Sequence, residues 1–268
     1  MNIQKLKLVC FSPTGTTRKV IQQIANGTQI KNVELIDITV PNGRQDILKT
    51  SENELLIVGV PVYMGRVPAV ITPWLKSVKA LNTPTVCAVV YGNRAYENAL
   101  LELKDILNER GCKPIAGAAF IGEHSFSSDE FPSSVGRPDV KDLQHAKKFG
   151  SDIQKIVLNL SSIKQIINVQ IPGSKPYGGV TALWHIDFIE VNDNCTQCGK
   201  CAEGCPVGAI DPVRSEIIDK EKCTLCCACI KNCPQNAKSM KPGLMKDAAI
   251  RCTTFTQRKE PEYFIQSD

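Results

Sequence analysis

At 268 residues, 43% of them apolar and 22% charged, the chain has room for one full domain and a smaller second one, and it lies well clear of disorder. No apolar run reaches the roughly 18 residues of a membrane span, and a lysine-bearing start leads directly into a strand pattern with no small-residue cleavage site behind it, so no signal peptide or membrane partner is expected and the cytoplasm is the expected compartment. The net charge of +5 is not gathered into a basic tract with interleaved aromatics, which argues against a nucleic-acid partner.

The first 160 residues alternate apolar strands with helical patterns. Residues 6–11 read as a strand, and 16–26 as a helix with Val20, Ile21 and Ile24 on one face. A second strand is expected at 33–38. After a short helical stretch, a third lies at 54–60, where a continuous Leu-Leu-Ile-Val run suits a parallel position buried on both faces. Residues 68–78 form a helix with Pro68 in its first turn. A fourth strand at 84–91 leads to a helix at 96–110 that stops at Gly111, then a fifth strand at 115–121 and a last helix at 140–158. Such alternation implies an α/β fold with an open parallel sheet and right-handed crossovers, and ligands gather at the carboxyl ends of its strands.

Residues 161–185 include Ile171-Pro172-Gly173-Ser174-Lys175-Pro176-Tyr177-Gly178-Gly179 and read as a turn-rich linker. A compact segment follows at 186–242, and a tail at 243–268. The tail either folds back through its charged run 258–264 to clamp the rest or stays a mobile end. Trp74 and Trp184 suit helix and linker packing, and Cys10, Cys87 and Cys112 suit small core positions in or beside strands.

Of thirteen cysteines, nine crowd between Cys195 and Cys233. A secreted disulfide scaffold would spread them through a short chain, whereas clustering fits metal or iron–sulfur ligation in a reducing compartment. They form an internal repeat of 28 residues. Cys195-x-x-Cys198-x-x-Cys201-x-x-x-Cys205-Pro206 recurs as Cys223-x-x-Cys226-x-x-Cys229-x-x-x-Cys233-Pro234. Soft thiolates suit iron–sulfur clusters, and two-residue gaps let three sulfurs wrap one corner of a cube. Two structural zinc sites are the alternative, but zinc has no use for two such triplets, each with a Cys-Pro partner. Cys227 and Cys252 stand outside the pattern. The segment resembles bacterial two-cluster ferredoxins over some 55 residues, with an α+β fold. That resemblance implies two [4Fe–4S] clusters with crossed ligation: Cys195, Cys198, Cys201 and Cys233 on one, Cys223, Cys226, Cys229 and Cys205 on the other.

After the first strand, Ser12-Pro13-Thr14-Gly15-Thr16-Thr17 opens a helix. Hydroxyls, a glycine and a helix N-terminus make a pocket of donors for a phosphomonoester, with no lysine of the P-loop kind. The loop after the third strand reads Pro61-Val62-Tyr63-Met64-Gly65-Arg66, and that after the fourth Tyr91-Gly92-Asn93-Arg94-Ala95-Tyr96-Glu97. Each joins an aromatic residue, able to stack on a flat ring, to a glycine that permits close backbone approach. In these three loops the first 160 residues resemble a flavodoxin. The resemblance implies a five-stranded sheet of order 2-1-3-4-5 that binds FMN. Ser12, Thr14, Gly15, Thr16 and Thr17 would take its phosphate, and residues 61–66 and 91–97 would enclose its ring. Where flavodoxins carry acidic residues around the ring, these loops offer Arg66 and Arg94, and a nearby cation would make the flavin less reducing. His124, after the fifth strand, is a candidate donor to flavin or substrate.

The whole chain resembles flavodoxin–ferredoxin fusion proteins of anaerobic bacteria and archaea. Such a fusion implies an electron-transfer protein that couples one- and two-electron redox partners of the ferredoxin type. The alternative is an FMN-dependent reductase of a small molecule fed by its own clusters. Residues 1–160 carry 19 basic against 15 acidic side chains, 161–185 add two lysines, and 186–268 carry 11 against 12. FMN phosphate at about −2 and two oxidised clusters at about −4 together would bring the loaded protein near neutrality. Whether flavin and clusters meet within one chain or across a homodimer stays open at this level.

Overall fold

The computed structural model describes residues 3–179 and 185–266; Trp184 lies outside them. The chain runs β1 (Lys5–Cys10), α1 (Thr16–Thr28), β2 (Val33–Asp37), β3 (Lys49–Ser51), β4 (Glu54–Pro61), α2 (Thr72–Ser77), β5 (Lys79–Leu81), β6 (Thr83–Tyr91), α3 (Ala99–Glu109), β7 (Cys112–Ile121) and α4 (Val140–Asn159). After the turn-rich stretch come β8 (Ile189–Val191), α5 (Lys200–Glu203), α6 (Ala228–Lys231), β9 (Lys238–Met240), α7 (Leu244–Cys252) and β10 (Glu262–Ile265).

The main sheet has the order β10-β7-β6-β4-β1-β2. Its five parallel strands, taken in chain order, follow the expected 2-1-3-4-5 arrangement, a flavodoxin-like fold. β4 and β6 are buried along nearly their whole length, as two-sided burial of central parallel strands requires. One apolar cluster, around Phe11, Ile71, Trp74 and Leu103, packs α2 and α3 on one face; another, around Ile21, Ile24, Phe120 and Phe149, packs α1 and α4 on the other. Cys10, Cys87 and Cys112 belong to these cores. α1 and α4 approach closely at Gly27 and Gly150, where an added Cβ would meet opposing backbone at 2.0 Å.

Two departures follow from contacts remote in sequence. The expected helix at 96–110 begins only at Ala99, because Asn93 and Glu97 adopt positive φ and keep 93–98 as a loop. The sheet gains a sixth strand. β10 pairs antiparallel with β7, Ala119 opposite Glu262, so the tail is a folded part of the sheet edge. Tyr263 stacks on Phe149 with ring centroids 5.1 Å apart, and its hydroxyl lies 3.2 Å from His145 Nδ1. The turn-rich stretch also packs down, burying Val169 and Ile171 against the α3 face.

The cysteine-rich segment is small: β8 pairs antiparallel with β9, and α5 and α6 are single turns. Its apolar centre is Phe188, Ile189, Ile210, Leu225 and Met245. No helix among the described residues is long and apolar enough to cross a membrane.

The entry to α4 rests on a buried ion pair. Asp142 is fully buried, accepts from Arg137 Nε at 2.8 Å and also contacts Arg137 Nη2, while closing a capping box with Asp139. Removing one charge of a buried pair leaves the other uncompensated. Asp142→Asn should therefore lose about 3–5 kcal/mol of unfolding free energy in denaturant titrations, with unchanged far-UV signal at low denaturant.

Candidate functional site: a cavity at the sheet edge beside two thiol quartets

A cavity of about 540 Å³ opens at the carboxyl ends of β1, β4, β6 and β7, within the range of small-molecule and cofactor sites. Its walls include Thr14 and Thr16, Pro61, Val62, Tyr63, Met64 and Gly65, then Tyr91, Gly92, Arg94 and Glu97, and His124. All three sequence-predicted loops thus meet at one place.

The loop 12–17 offers a donor cradle. Gly15 holds φ +83, and an added Cβ there would meet nothing within 4 Å, so the loop faces open space. Thr17 is buried with its Oγ1 unpartnered, and the N–H groups of Thr16 and Thr17, at the start of a 13-residue helix, have no acceptor among the described residues. Ser12 is already engaged: its Oγ accepts from Arg18 N–H at 3.1 Å and its N–H donates to Thr39 Oγ1 at 2.9 Å. Arg18 turns away to pair with Asp37. An orphaned hydroxyl and free helix N–H groups fit a phosphate.

The loop 61–66 is a tight turn. Tyr63 and Arg66 exchange two backbone hydrogen bonds of 3.0 Å, and Met64 and Gly65 between them take φ of 50 and 79. At position 65 a Cβ would lie 1.9 Å from Glu97 Oε2, the movable end of that side chain, and it is the φ of +79 that calls for glycine there.

Four predicted residues do other work. Arg66 forms a bidentate pair with the buried Glu102, both bonds 2.8 Å, and lies over the Tyr177 ring; it does not line the cavity. Asn93 Nδ2 donates to the carbonyls of Phe255 at 2.8 Å and Gln257 at 2.9 Å, and Tyr96 donates to Glu262 at 2.8 Å, so both hold the tail. Ser12 caps α1, as above. The expected pair of cations near the ring is reduced to Arg94, which itself pairs with Glu97 at 2.5 Å.

His124 is half-buried and packs on Gly92, where an added Cβ would sit 2.2 Å from its ring. Its Nδ1 accepts from Phe126 N–H at 3.1 Å, which assigns the proton to Nε2, 3.5 Å from Cys252 Sγ. Burial lowers its pKa to about 4, with Lys231 and Arg94 adding to the effect, so the ring is neutral near pH 7. Glu123 stays ionised: burial opposes it, but Lys231 at 2.5 Å and the Gly136 N–H outweigh that cost.

The thiols fall into two groups. Cys205, Cys223, Cys226 and Cys229 line one small cavity; Cys195, Cys198, Cys201 and Cys233 line another. In each group the residue before a proline comes from the other half of the repeat. Ala209 N–H donates to Cys205 Sγ and Ala237 N–H to Cys233 Sγ, both at 3.3 Å, an equivalent bond in each half. Burial pushes the Cys226 thiol up to about 12, so taking up metal there would release its proton. Cys227 also borders the first cavity, but it is buried in the apolar centre with Sγ 3.7 Å from Leu225 carbonyl oxygen.

The two sites are neighbours. Thr224 and Leu225, between Cys223 and Cys226, line the 540 Å³ cavity, and Thr224 lines the adjoining thiol cavity as well. Asn232 Nδ2 donates to the Pro13 carbonyl at 3.1 Å, and Arg44 Nη2 to that of Pro206 at 2.5 Å. Over the remaining side lie Met245, Ala248, Arg251 and Cys252 of α7, with Phe255. Sequence reasoning missed this wall. The spacing of Met245, Ala248, Ala249 and Cys252 at i, i+3, i+4 and i+7 is the signal that would have revealed a helix there.

The His124 geometry has a pH consequence. The pKa lies below the unfolded value of 6.5, so the neutral ring favours the folded state above that pH. As pH falls from 6.5 toward 4, up to about 3 kcal/mol of stability is lost. Denaturation of wild type and His124→Gln across that window should show the loss only in wild type.

Residues 189–211 and 216–239 match the family described as 4Fe-4S binding domain. No curated protein is significantly similar to the chain. Solved structures similar to it include a flavodoxin from the domain Archaea, with 19% identity, 58% of this chain and 99% of that one covered, and a TM-score of 0.40. A Fusobacterium nucleatum flavodoxin bound to flavin mononucleotide has 14% identity, coverage of 57% and 98%, and a TM-score of 0.39. An NADH:FMN oxidoreductase in its apo form has 14% identity, coverage of 61% and 94%, and a TM-score of 0.43. The strand order, rather than these scores, carries the fold assignment. The chain thus joins a flavodoxin-like fold to a segment that matches the 4Fe-4S binding domain.

Proposed function

We propose that the chain is an intramolecular electron relay between two [4Fe–4S] clusters and FMN. Residues 1–160 would form the flavin domain, 186–242 the two-cluster domain, with 161–185 as linker and 243–268 as tail. Cys205, Cys223, Cys226 and Cys229 would hold the nearer cluster, and Cys195, Cys198, Cys201 and Cys233 the outer one. The observation that carries this reading is the placement of Thr224 and Leu225, inside a cluster-binding turn, in the wall of the flavin-sized cavity. Donor and acceptor would then be separated by little more than one residue within a single chain.

Bound FMN would supply exchange of one or two electrons, and each cluster of one. This chain's residues set the conditions. Thr16 and Thr17 offer N–H and O–H donors to the phosphate, and the Met64-Gly65 turn brings backbone to the ring. His124 presents a fixed N–H rather than a charge, since its ring stays neutral. Of the two expected cations Arg94 keeps its place, with Glu97 as its partner, and Arg251 of α7 brings a second guanidinium to the cavity wall.

The covered cavity favours the reductase form of the relay. Residues 224–225 and α7 stand where a partner protein would otherwise approach the ring, so the flavin would exchange electrons with a small molecule. Protein partners would meet the outer cluster, whose Cys198 is exposed. Residues 186–222 around it carry eight acidic and four basic side chains, which suits a redox protein with a basic face.

Anaerobically purified protein should contain about eight iron, about eight acid-labile sulfide and about one FMN per chain, and a one-electron donor should reduce the clusters before the flavin in rapid mixing. Zinc in place of iron, or flavin reduction that is indifferent to cluster removal, would sink the relay. Thr17→Val should weaken FMN binding about tenfold, from the loss of one hydrogen bond to a charged group, while iron content stays at the wild-type level.

A further inference from the structure

The two cluster-binding turns repeat the same backbone with different surroundings. In Cys195-Thr196-Gln197-Cys198 and Cys223-Thr224-Leu225-Cys226, the third residue is left-handed in both, φ 55 at Gln197 and 56 at Leu225. Each turn has a threonine in second place, and each threonine lines its own thiol cavity. Thr196 is exposed, so water serves its hydroxyl. Thr224 is 8% exposed, and its Oγ1 has no hydrogen-bond partner among the described residues. The difference arises because the second turn is pressed into the wall of the flavin cavity.

A buried, unpaired hydroxyl is costly, and a protein retains one where a ligand completes it. Thr224 lines the same small cavity as Cys205, Cys223, Cys226 and Cys229. A neutral thiol is a weak acceptor, whereas an iron-bound thiolate is a good one. We propose that Thr224 is a redox-tuning residue, whose hydroxyl donates to a cysteine thiolate of the nearer cluster on the side facing the flavin cavity. This rests on the cluster assignment above.

Reduction adds negative charge to the cluster and its sulfurs, so a donor there stabilises the reduced state and raises the potential. The amide donors Ala209 and Ala237 serve both quartets alike and cancel between them. Thr196 is solvated and adds no such donor; on the outer quartet the corresponding buried, unpartnered hydroxyl is that of Ser215, outside the turn. Removing the Thr224 donor therefore lowers the potential of the nearer cluster alone; the hydroxyl keeps its proton, and no bond forms or breaks as the cluster takes up its electron.

The test is the midpoint potential of each cluster, followed by EPR-monitored titration of the full chain loaded with FMN and counted for iron and sulfide. Thr224→Val keeps the side-chain shape and removes the donor. One of the two cluster potentials should fall, with the other unchanged; Thr196→Val should move neither, and Thr224→Ser should restore the wild-type value. Unchanged cluster potentials in loaded Thr224→Val, or a shift confined to the flavin, would overturn the assignment while leaving the relay intact. Should Thr224→Val fail to take up iron, recovery of uptake and potential in Thr224→Ser supports the assignment, and failure of both overturns it. Wild-type protein without iron and sulfide would overturn the relay and this inference together.

Discussion

Parallel strand pairing is the constraint on which the rest depends. Because β1, β4, β6 and β7 run the same way, every loop leaving a carboxyl end emerges at one edge of the sheet. Loops 12–17, 61–66, 91–97 and the residues after β7 have no choice but to face one another. Each then specialises locally: a helix start with unpaired N–H groups, a two-residue left-handed turn, and a half-buried neutral imidazole.

The cysteine-rich segment is seated on that same edge through the residues that matter most to it. Asn232 precedes Cys233 and reaches the Pro13 carbonyl in the phosphate-type loop; Lys231 pairs with Glu123; Pro206, next to Cys205, accepts from Arg44. The tail completes the enclosure. Having crossed the cavity as α7, it is tied down by Asn93, by Arg258 on Asp139 at 2.7 Å, and by Arg137 on the Lys259 carbonyl at 2.9 Å, and finishes as β10 on β7. A single chain therefore builds all four sides of the cavity.

Charge is distributed by pairing more than by composition. Arg66 stands in a ring-side loop by sequence, yet Glu102 on α3 accepts both ends of its guanidinium and Tyr177 covers it. Arg94 keeps its place but shares it with Glu97. A loop's charge count thus predicts little about the field at its ligand until the helices behind it are in place.

What the residues alone determined is whatever local chemistry and short spacing can encode. Strand and helix alternation prescribed the parallel sheet, because two-sided burial leaves continuous apolar runs such as that in β4. The spacing of eight cysteines marked two triplets, each followed by a Cys-Pro partner, and the resemblance to two-cluster ferredoxins implied their crossed grouping into two quartets. The three loops at the sheet edge were legible because hydroxyls, glycines and aromatics are marked by residue type alone. Only the tertiary structure decided where long-range partners fall. Ser12, Arg66, Asn93 and Tyr96 were each claimed by α1, Glu102 or the tail, and no local pattern announces a partner 36 or 162 residues away. It also decided that Thr224 is buried while Thr196 is not, since burial belongs to the surface a turn is pressed against and not to the turn itself.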